Sequence, residues 1–184
     1  MKRMLLSGPV TEPLLVPEMN AHLRLDGHDE DDLVGALIAA ARVAVETEIR
    51  RVLISQRWRI AFEHWPRHGI LLPVPPLLSV DAVRQIGFDG TTTAFDPASF
   101  EVDESAGIVL PGDIALNGRG FEIDYTAGYG RSGLDVPQPL RQAMRMLVTH
   151  WYEHRSATIL GDSVASTPEG YRPLVAPYRR MALC

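Results

Sequence analysis

Residues 31–53 read DDLVGALIAAARVAVETEIRRVL, from Asp31 to Leu53, and their spacing decides the fold. Val34, Ile38, Ala41, Val45, Ile49 and Val52 recur at steps of three and four, which puts them in one stripe along an α-helix. A second apolar line, Leu33, Leu37, Ala40 and Ala44, runs beside the first, so the non-polar surface is wider than one contact requires. This predicts a helix buried on two sides. Ala36, Ala39, Ala40, Ala41 and Ala44 carry almost no side chain, so another backbone can approach closely, either from the same fold or from a second copy. The helix is read as the spine of a bundle, with Leu33, Leu37, Ala40 and Ala44 as the candidate self-association surface.

Upstream of the spine, Met1–Val16 holds Gly8, Pro9 and Pro13 and shows no period, which predicts an extended arm. Pro17 and Glu18 suit a first helical turn and predict a short helix through Leu23. The acidic run Asp26 to Asp32 then breaks that helix and starts the spine, with Asp29 or Asp31 as the expected N-cap. It does not meet calcium-loop spacing, because the sixth-position glycine and the closing glutamate are missing.

Downstream, the period changes from 3.6 to 2. Trp58, Ile60 and Phe62 alternate with Arg59, Ala61 and Glu63, as in a half-buried strand. Further strands are expected at Ile70–Leu72, Val80–Phe88, Thr91–Phe95, Phe100–Asp103, Ile108–Leu110 and Phe121–Tyr125, with Asp89-Gly90 as a hairpin signal. Pro73, Pro75 and Pro76 exclude a central strand, so LLPVPPLLSV is read as a rigid connector or an edge. Helix returns after Val136-Pro137, where Leu140, Met144, Leu147, Val148 and Trp151 form a stripe expected to pack on the spine. Ser156–Gly170 is polar and predicts a loop. In the tail, Tyr171, Arg172, Leu174, Tyr178, Arg179 and Arg180 combine aromatic and guanidinium groups, which fits either a docking tail or a closing helical turn.

The predicted fold class is α+β: mainly a helical bundle with a small antiparallel β-sheet lobe inserted, an extended N-terminal arm and a C-terminal tail. A single domain over residues 1–184 is expected, with its helical core at 17–54 and 136–155, its β insertion at 55–130 and its tail at 171–184. The formal net charge of -5, from 18 Lys and Arg against 23 Asp and Glu, is not a polyanion-binding composition. Cys184 is the only cysteine, which excludes an intrachain disulfide and fits a reducing compartment. The opening MKRMLL is too short an apolar run for a signal peptide, and no segment approaches the roughly 18 consecutive apolar residues of a membrane span. A soluble chain that stays where it is made is expected.

Two motifs carry possible chemistry. His150-Trp151-Tyr152-Glu153-His154 fits H-x-x-E-H, in which two histidines on one helix face hold zinc and the glutamate acts as base. No third ligand stands in a recognisable motif, and histidines at a helix end also interact with the C-terminal dipole. Gly128-Tyr129-Gly130-Arg131-Ser132-Gly133 matches G-x-G-x-x-G after a strand, but Leu134 to Pro137 separate its last glycine from the next helix. These glycines are read as serving a turn. A zinc hydrolase is therefore the alternative function, a nucleotide-binding module the third, and no G-x-S-x-G elbow or internal cysteine supports nucleophilic catalysis.

An ordered set of short pieces runs along the chain: Ala21-His22-Leu23-Arg24 before the acidic run, Leu37 to Arg42, Leu53-Ile54-Ser55-Gln56-Arg57-Trp58 and Leu72 to Val80. It continues through Tyr125 to Gly130, Val136 to Ala143, His150 to Arg155 and Leu174 to Arg179. Together these resemble the head-tail connector, or adaptor, proteins of tailed bacteriophages and gene transfer agents. His154 stands where the family pattern has asparagine, so the zinc-like motif reads as an accident of that exchange. The resemblance implies a non-enzymatic structural subunit, without cofactor or metal, that forms a dodecameric ring beneath the portal protein. That ring would extend the DNA channel and offer a platform to stopper or tail-terminator proteins. The alanine-rich helix would pack on neighbouring copies, the tail from Tyr171 to Cys184 would dock on the portal, and DNA would pass a weakly acidic lumen without specific binding. The implied location is the head-tail interface of a particle assembled in the bacterial cytoplasm. Residues 156–170 match none of the pieces.

Overall fold

The computed structural model describes residues 1–154 and 167–180, and the chain divides into two compact units. Unit 1 comprises Met1–Val10 and Ile54–Arg131; unit 2 comprises Thr11–Leu53 and Ser132–Cys184.

In the second unit, helix α1 (Val16–Leu23), helix α2 (Asp31–Ile49), helix α3 (Gln138–Glu153) and the short α4 (Tyr171–Val175) pack together. The first stripe of α2 behaves as its spacing demands, since Val34, Ile38, Ala41, Val45 and Ile49 are all buried. They meet Leu140, Ala143, Met144, Leu147 and Val148 in one core that also takes Leu14 and Met19. Burying each large aliphatic side chain contributes about 1.5–3 kcal/mol, so this core carries the unit. Helix α2 ends three residues before Val52, because Arg50 turns into the left-handed region at φ 55°, where no glycine announces a stop. Val52 and Leu53 remain buried beyond the helix end, and the Leu53 amide donates to Glu46 Oε1 at 2.8 Å.

The expected N-cap is corrected by the structure. Glu30 holds the cap position without a side-chain cap bond, and Asp31 is already inside the helix. Its carboxylate instead accepts from Asn20 Nδ2 at 2.6 Å and lies 2.9 Å from His28 Nδ1, which ties α1 to the start of α2.

The first unit contains eight strands: β1 (Lys2–Ser7), β2 (Gln56–Phe62), β3 (Ile70–Leu71), β4 (Leu77–Ile86), β5 (Thr92–Phe95), β6 (Phe100–Asp103), β7 (Ile108–Pro111) and β8 (Gly120–Ala127). They form a five-stranded sheet in the order β1-β2-β8-β4-β5 and a three-stranded sheet in the order β3-β7-β6, with every pair antiparallel. The fold class is therefore α+β, but a mainly helical bundle is not what forms, because the two sheets are a substantial share of the structure. Part of the difference is the N-terminal arm. Lys2–Ser7 pairs with β2, yet all six residues are exposed, so no alternation marked the strand in the sequence. Backbone pairing defines it, with the Arg3 guanidinium laid over the Trp58 ring of β2, 5.2 Å from its centroid.

Residues 72–76 are the connector, and the Pro75–Pro76 bond is cis. Strand β4 begins at Leu77; its first half pairs only with β8, since β5 reaches only Val83–Ile86. At the β4–β5 turn the Gly87 amide donates to the Thr91 carbonyl at 2.8 Å, and Asp89 Oδ1 accepts from Thr91 N and Oγ1. Buried Ile60, Val83, Phe121, Ile123 and Tyr125 make the core of the large sheet. Phe62, Trp65, Phe100 and Phe121 form a linked set of ring contacts beside it.

Candidate functional site

The two faces of α2 have different fates. Leu33 (37 % exposed), Ala36, Ala40 and Val43 (52 % exposed) face solvent, while Leu37 and Ala44 are half-buried. Of the two-sided burial expected for α2, a single chain supplies one side: α1, α3 and α4 all take the Val34–Ile49 stripe, and the second apolar line stays open. What results is a shallow apolar strip of small side chains along nearly the whole helix.

The tail residues are partly committed to their own unit. Tyr171 is 1 % exposed and its hydroxyl is hydrogen-bonded to Glu48; burial first, and then that carboxylate, push the phenol well above its usual range. It packs inside and is not a surface contact. Arg179 pairs with Glu48, Arg51 Nε donates to the Tyr178 carbonyl at 2.8 Å, and the Arg180 amide donates to the Ile49 carbonyl at 3.0 Å. Thus the segment closes over the end of α2. Arg172 and Arg179 are exposed, and Leu174, Tyr178 and Arg180 are half-buried. Residues 181–184 of the tail lie outside the described residues, as do positions 155–166, which cover most of the polar loop.

The H-x-x-E-H pair does fall on one face of α3. The His150 and His154 rings lie 4.5 Å apart, and His154 Nδ1 sits 2.8 Å from the His150 carbonyl oxygen at the helix end. That contact engages one of the two ring nitrogens in closing the helix. Among the described residues no group of three His, Cys, Asp or Glu side chains is placed to hold a metal, so the zinc-hydrolase alternative finds no support in the geometry.

The G-x-G-x-x-G stretch serves backbone approach. Gly128 has φ 142°, and a Cβ there would lie 2.7 Å from the Ile54 carbonyl carbon and the Ser55 nitrogen. The Gly130 carbonyl accepts from both Ser55 N and Ser55 Oγ at 2.8 Å. Gly133 opens a 3₁₀ turn with a Ser132–Asp135 capping box, and its missing Cβ leaves room for the Pro13 carbonyl. No α-helix starts at its last glycine, as a dinucleotide loop would require; α3 begins only at Gln138.

Each unit also holds a buried charge. Arg141, 6 % exposed, donates from Nε to the Pro13 carbonyl at 3.1 Å and from Nη2 to both oxygens of Glu18, which also pairs with Arg145. Burial pushes the Glu18 carboxyl up, but the hydrogen bond and charge of Arg145, with the charge of Arg141, outweigh it and hold the group below its ordinary value. In the sheet, Asp124 is 2 % exposed and receives Arg59 at 2.5 and 2.9 Å and Arg84 at 2.9 Å from the strands on either side. Its burial penalty is likewise outweighed by the two arginines, and its carboxyl is held low.

One exposed group escaped sequence reading. The strand expected over Val80–Phe88 ends early: β4 stops at Ile86 and Phe88 stands at the hairpin tip, 81 % exposed. Its flanking Gly87 and Asp89-Gly90 were the signal.

The family model for head completion proteins matches residues 14–181. The chain belongs to the head completion protein family. Among solved structures it is similar to a chain in the neck of an empty gene transfer agent particle computed with C6 symmetry, at TM-score 0.79 and 28 % identity, covering 100 % of this chain and 98 % of that one. A chain in the virion of a native gene transfer agent particle aligns at TM-score 0.78 and 27 % identity, again covering 100 % and 98 %. A third, from the neck of a native particle computed with C12 symmetry, aligns at 0.72 and 26 %, covering 98 % and 97 %. No curated protein matches this chain closely enough to count as a relative.

Proposed function

We propose that this chain is a structural head-tail connector subunit, one of a ring of copies in the neck of a phage or gene transfer agent particle. The observation that carries this is the end-to-end likeness to neck chains of gene transfer agent particles, in addition to family membership. The symmetries of those necks support a ring, and the exposed α2 strip supports contact between copies. In this reading Leu33, Leu37, Ala40 and Ala44 meet the adjacent subunit. Arg172, Leu174, Tyr178, Arg179 and Arg180 face the portal, with Tyr171 as the buried anchor that holds the tail in place. The opposite end of the ring receives stopper or tail-terminator proteins, and DNA passes through the centre. A formal net charge of -5 gives that passage no general attraction for phosphate, so the duplex slides without being held. The work is binding, not bond chemistry.

Electron microscopy of the full chain mixed with its portal or particle tests this directly: a ring at the neck is expected, and its absence from intact particles overturns the proposal. Ala40→Glu sharpens the test. An exposed alanine on a helix tolerates a charge within about 0.5 kcal/mol, so the melting temperature of the isolated chain should hold. Ring occupancy on particles should fall steeply.

A further inference from the structure

We infer that the Phe88 hairpin tip of one copy seats in an aromatic pocket on the same unit of a second copy, forming a directional contact between subunits. This deepens the ring reading and rests on it. The knob is a phenyl ring on a turn that its own hydrogen bonds hold in shape, Gly87 N to Thr91 O and Asp89 to Thr91. At 81 % exposed, Phe88 is among the most exposed large apolar side chains of the described residues. Leaving such a ring in water forfeits the gain that burying its apolar surface would return.

The pocket is an open cavity of about 360 Å³ walled by Trp65, Phe121, Ile114 and Leu116, with His64 and Arg67 among its lining residues. An apolar cavity of roughly 150 Å³ already accepts benzene, so a phenyl ring and part of its turn have room. Its aromatic walls are set in advance: Trp65 contacts Phe62, Phe100 and Phe121 with ring centroids 5.2–5.6 Å apart. Little ordering is left to pay on binding. Charge selects the occupant. Residues 87–91, Gly-Phe-Asp-Gly-Thr, carry one acid and no base, with Arg119 of the same chain partly offsetting that acid, whereas the lining of the pocket carries a base and a histidine and no acid. The hairpin of a second copy therefore brings Asp89 towards Arg67 as Phe88 enters. Knob and pocket are different surfaces, each present once per copy. Such a contact is heterologous and passes from copy to copy, closing as a ring where its rotation allows, as the ring reading requires.

Paired cysteines test it. In a Cys184→Ser background, full-length Phe88→Cys and Leu116→Cys proteins are mixed and oxidised. A disulfide-linked pair of copies should form at least tenfold faster than when Leu134→Cys, another exposed leucine, replaces the pocket cysteine. Equal rates overturn the inference. The chain carrying both Phe88→Cys and Leu116→Cys should give a ladder that continues past two copies; a ladder stopping at two means reciprocal pairing and overturns the ring form. Phe88→Asp, with an unchanged melting temperature, should reduce neck rings seen by microscopy. If it does so while the disulfide does not form, another protein fills the pocket and the inference fails with the connector reading intact. If wild-type particles carry no ring of this chain, the connector reading itself fails.

Discussion

Among the described residues the two units each fully bury one charged side chain, and they do so with opposite signs. In the helical unit the hidden member is a base, Arg141, and its partner Glu18 lies at the surface with a side chain 30 % exposed. In the sheet the hidden member is an acid, Asp124, and its partners Arg59 and Arg84 are the more exposed ones. Sequence position explains neither. Arg141 is one of several charges near the start of α3, and Asp124 sits in a strand whose neighbours alternate in charge and apolarity. What the difference teaches is that the cost of losing a pair depends on which member is left behind in the dry interior.

The sharpest break of this symmetry is Glu18→Gln. It leaves the buried Arg141 charge facing only neutral acceptors, the amide oxygen that replaces the carboxylate and the Pro13 carbonyl, and should lower unfolding stability by about 3 kcal/mol, read as a shift in denaturant midpoint. An equal loss from Arg141→Met would contradict it, since that change removes the buried charge and keeps the Glu18–Arg145 pair. Asp124→Asn comes next. It removes the hidden charge itself and leaves Arg59 and Arg84 free to turn to water or to Glu122, so about 1–2 kcal/mol is expected from the weakened hydrogen bonds.

The same two carboxyls contribute to the response to acid, alongside Asp31, Asp89 and Asp103, which are also held low, and against Glu46, which burial pushes up. Each of the two is held below its unfolded value, so the unfolded chain takes up protons first as pH falls. Their stabilisation is complete above the ordinary carboxylate range and disappears as pH drops through the folded values. Asp124→Asn should therefore flatten the acid limb of a stability-against-pH curve measured by urea unfolding, and a limb as steep as wild type would exclude Asp124 as a contributor. At the small end is the surface pair His28–Asp31, where the histidine side chain is 89 % exposed. His28→Ala should leave the denaturant midpoint unchanged, as exposed ion pairs contribute little.

Periodicity made much of this molecule legible. The buried stripe of α2, the α3 stripe, the alternation from Trp58 to Phe62, the strands at 100–103 and 121–125, and the Asp89-Gly90 turn all follow from local rules about which side chains share a face. The arm did not, because β1 is exposed along its whole length and only its partner strand makes it a strand. The end of α2 was hidden as well, since a left-handed arginine carries no compositional mark. Tyr171 looked like a surface anchor, and the Glu48 carboxylate on α2 draws it inside.

By itself the sequence determined the alternation of one helical and one β-rich segment, the turn role of Gly128–Gly133 and the apolar width of α2. Tertiary structure alone decided that the second line of α2 stays open, that the arm completes a sheet, that Asp124 and Arg141 are buried, and that Phe88 stands clear of its own core. The physical reason is that a residue's spacing states which neighbours share its face, whereas burial depends on what the rest of the chain brings against that face, and such contacts join residues more than a hundred positions apart, as Arg141 and Glu18 are.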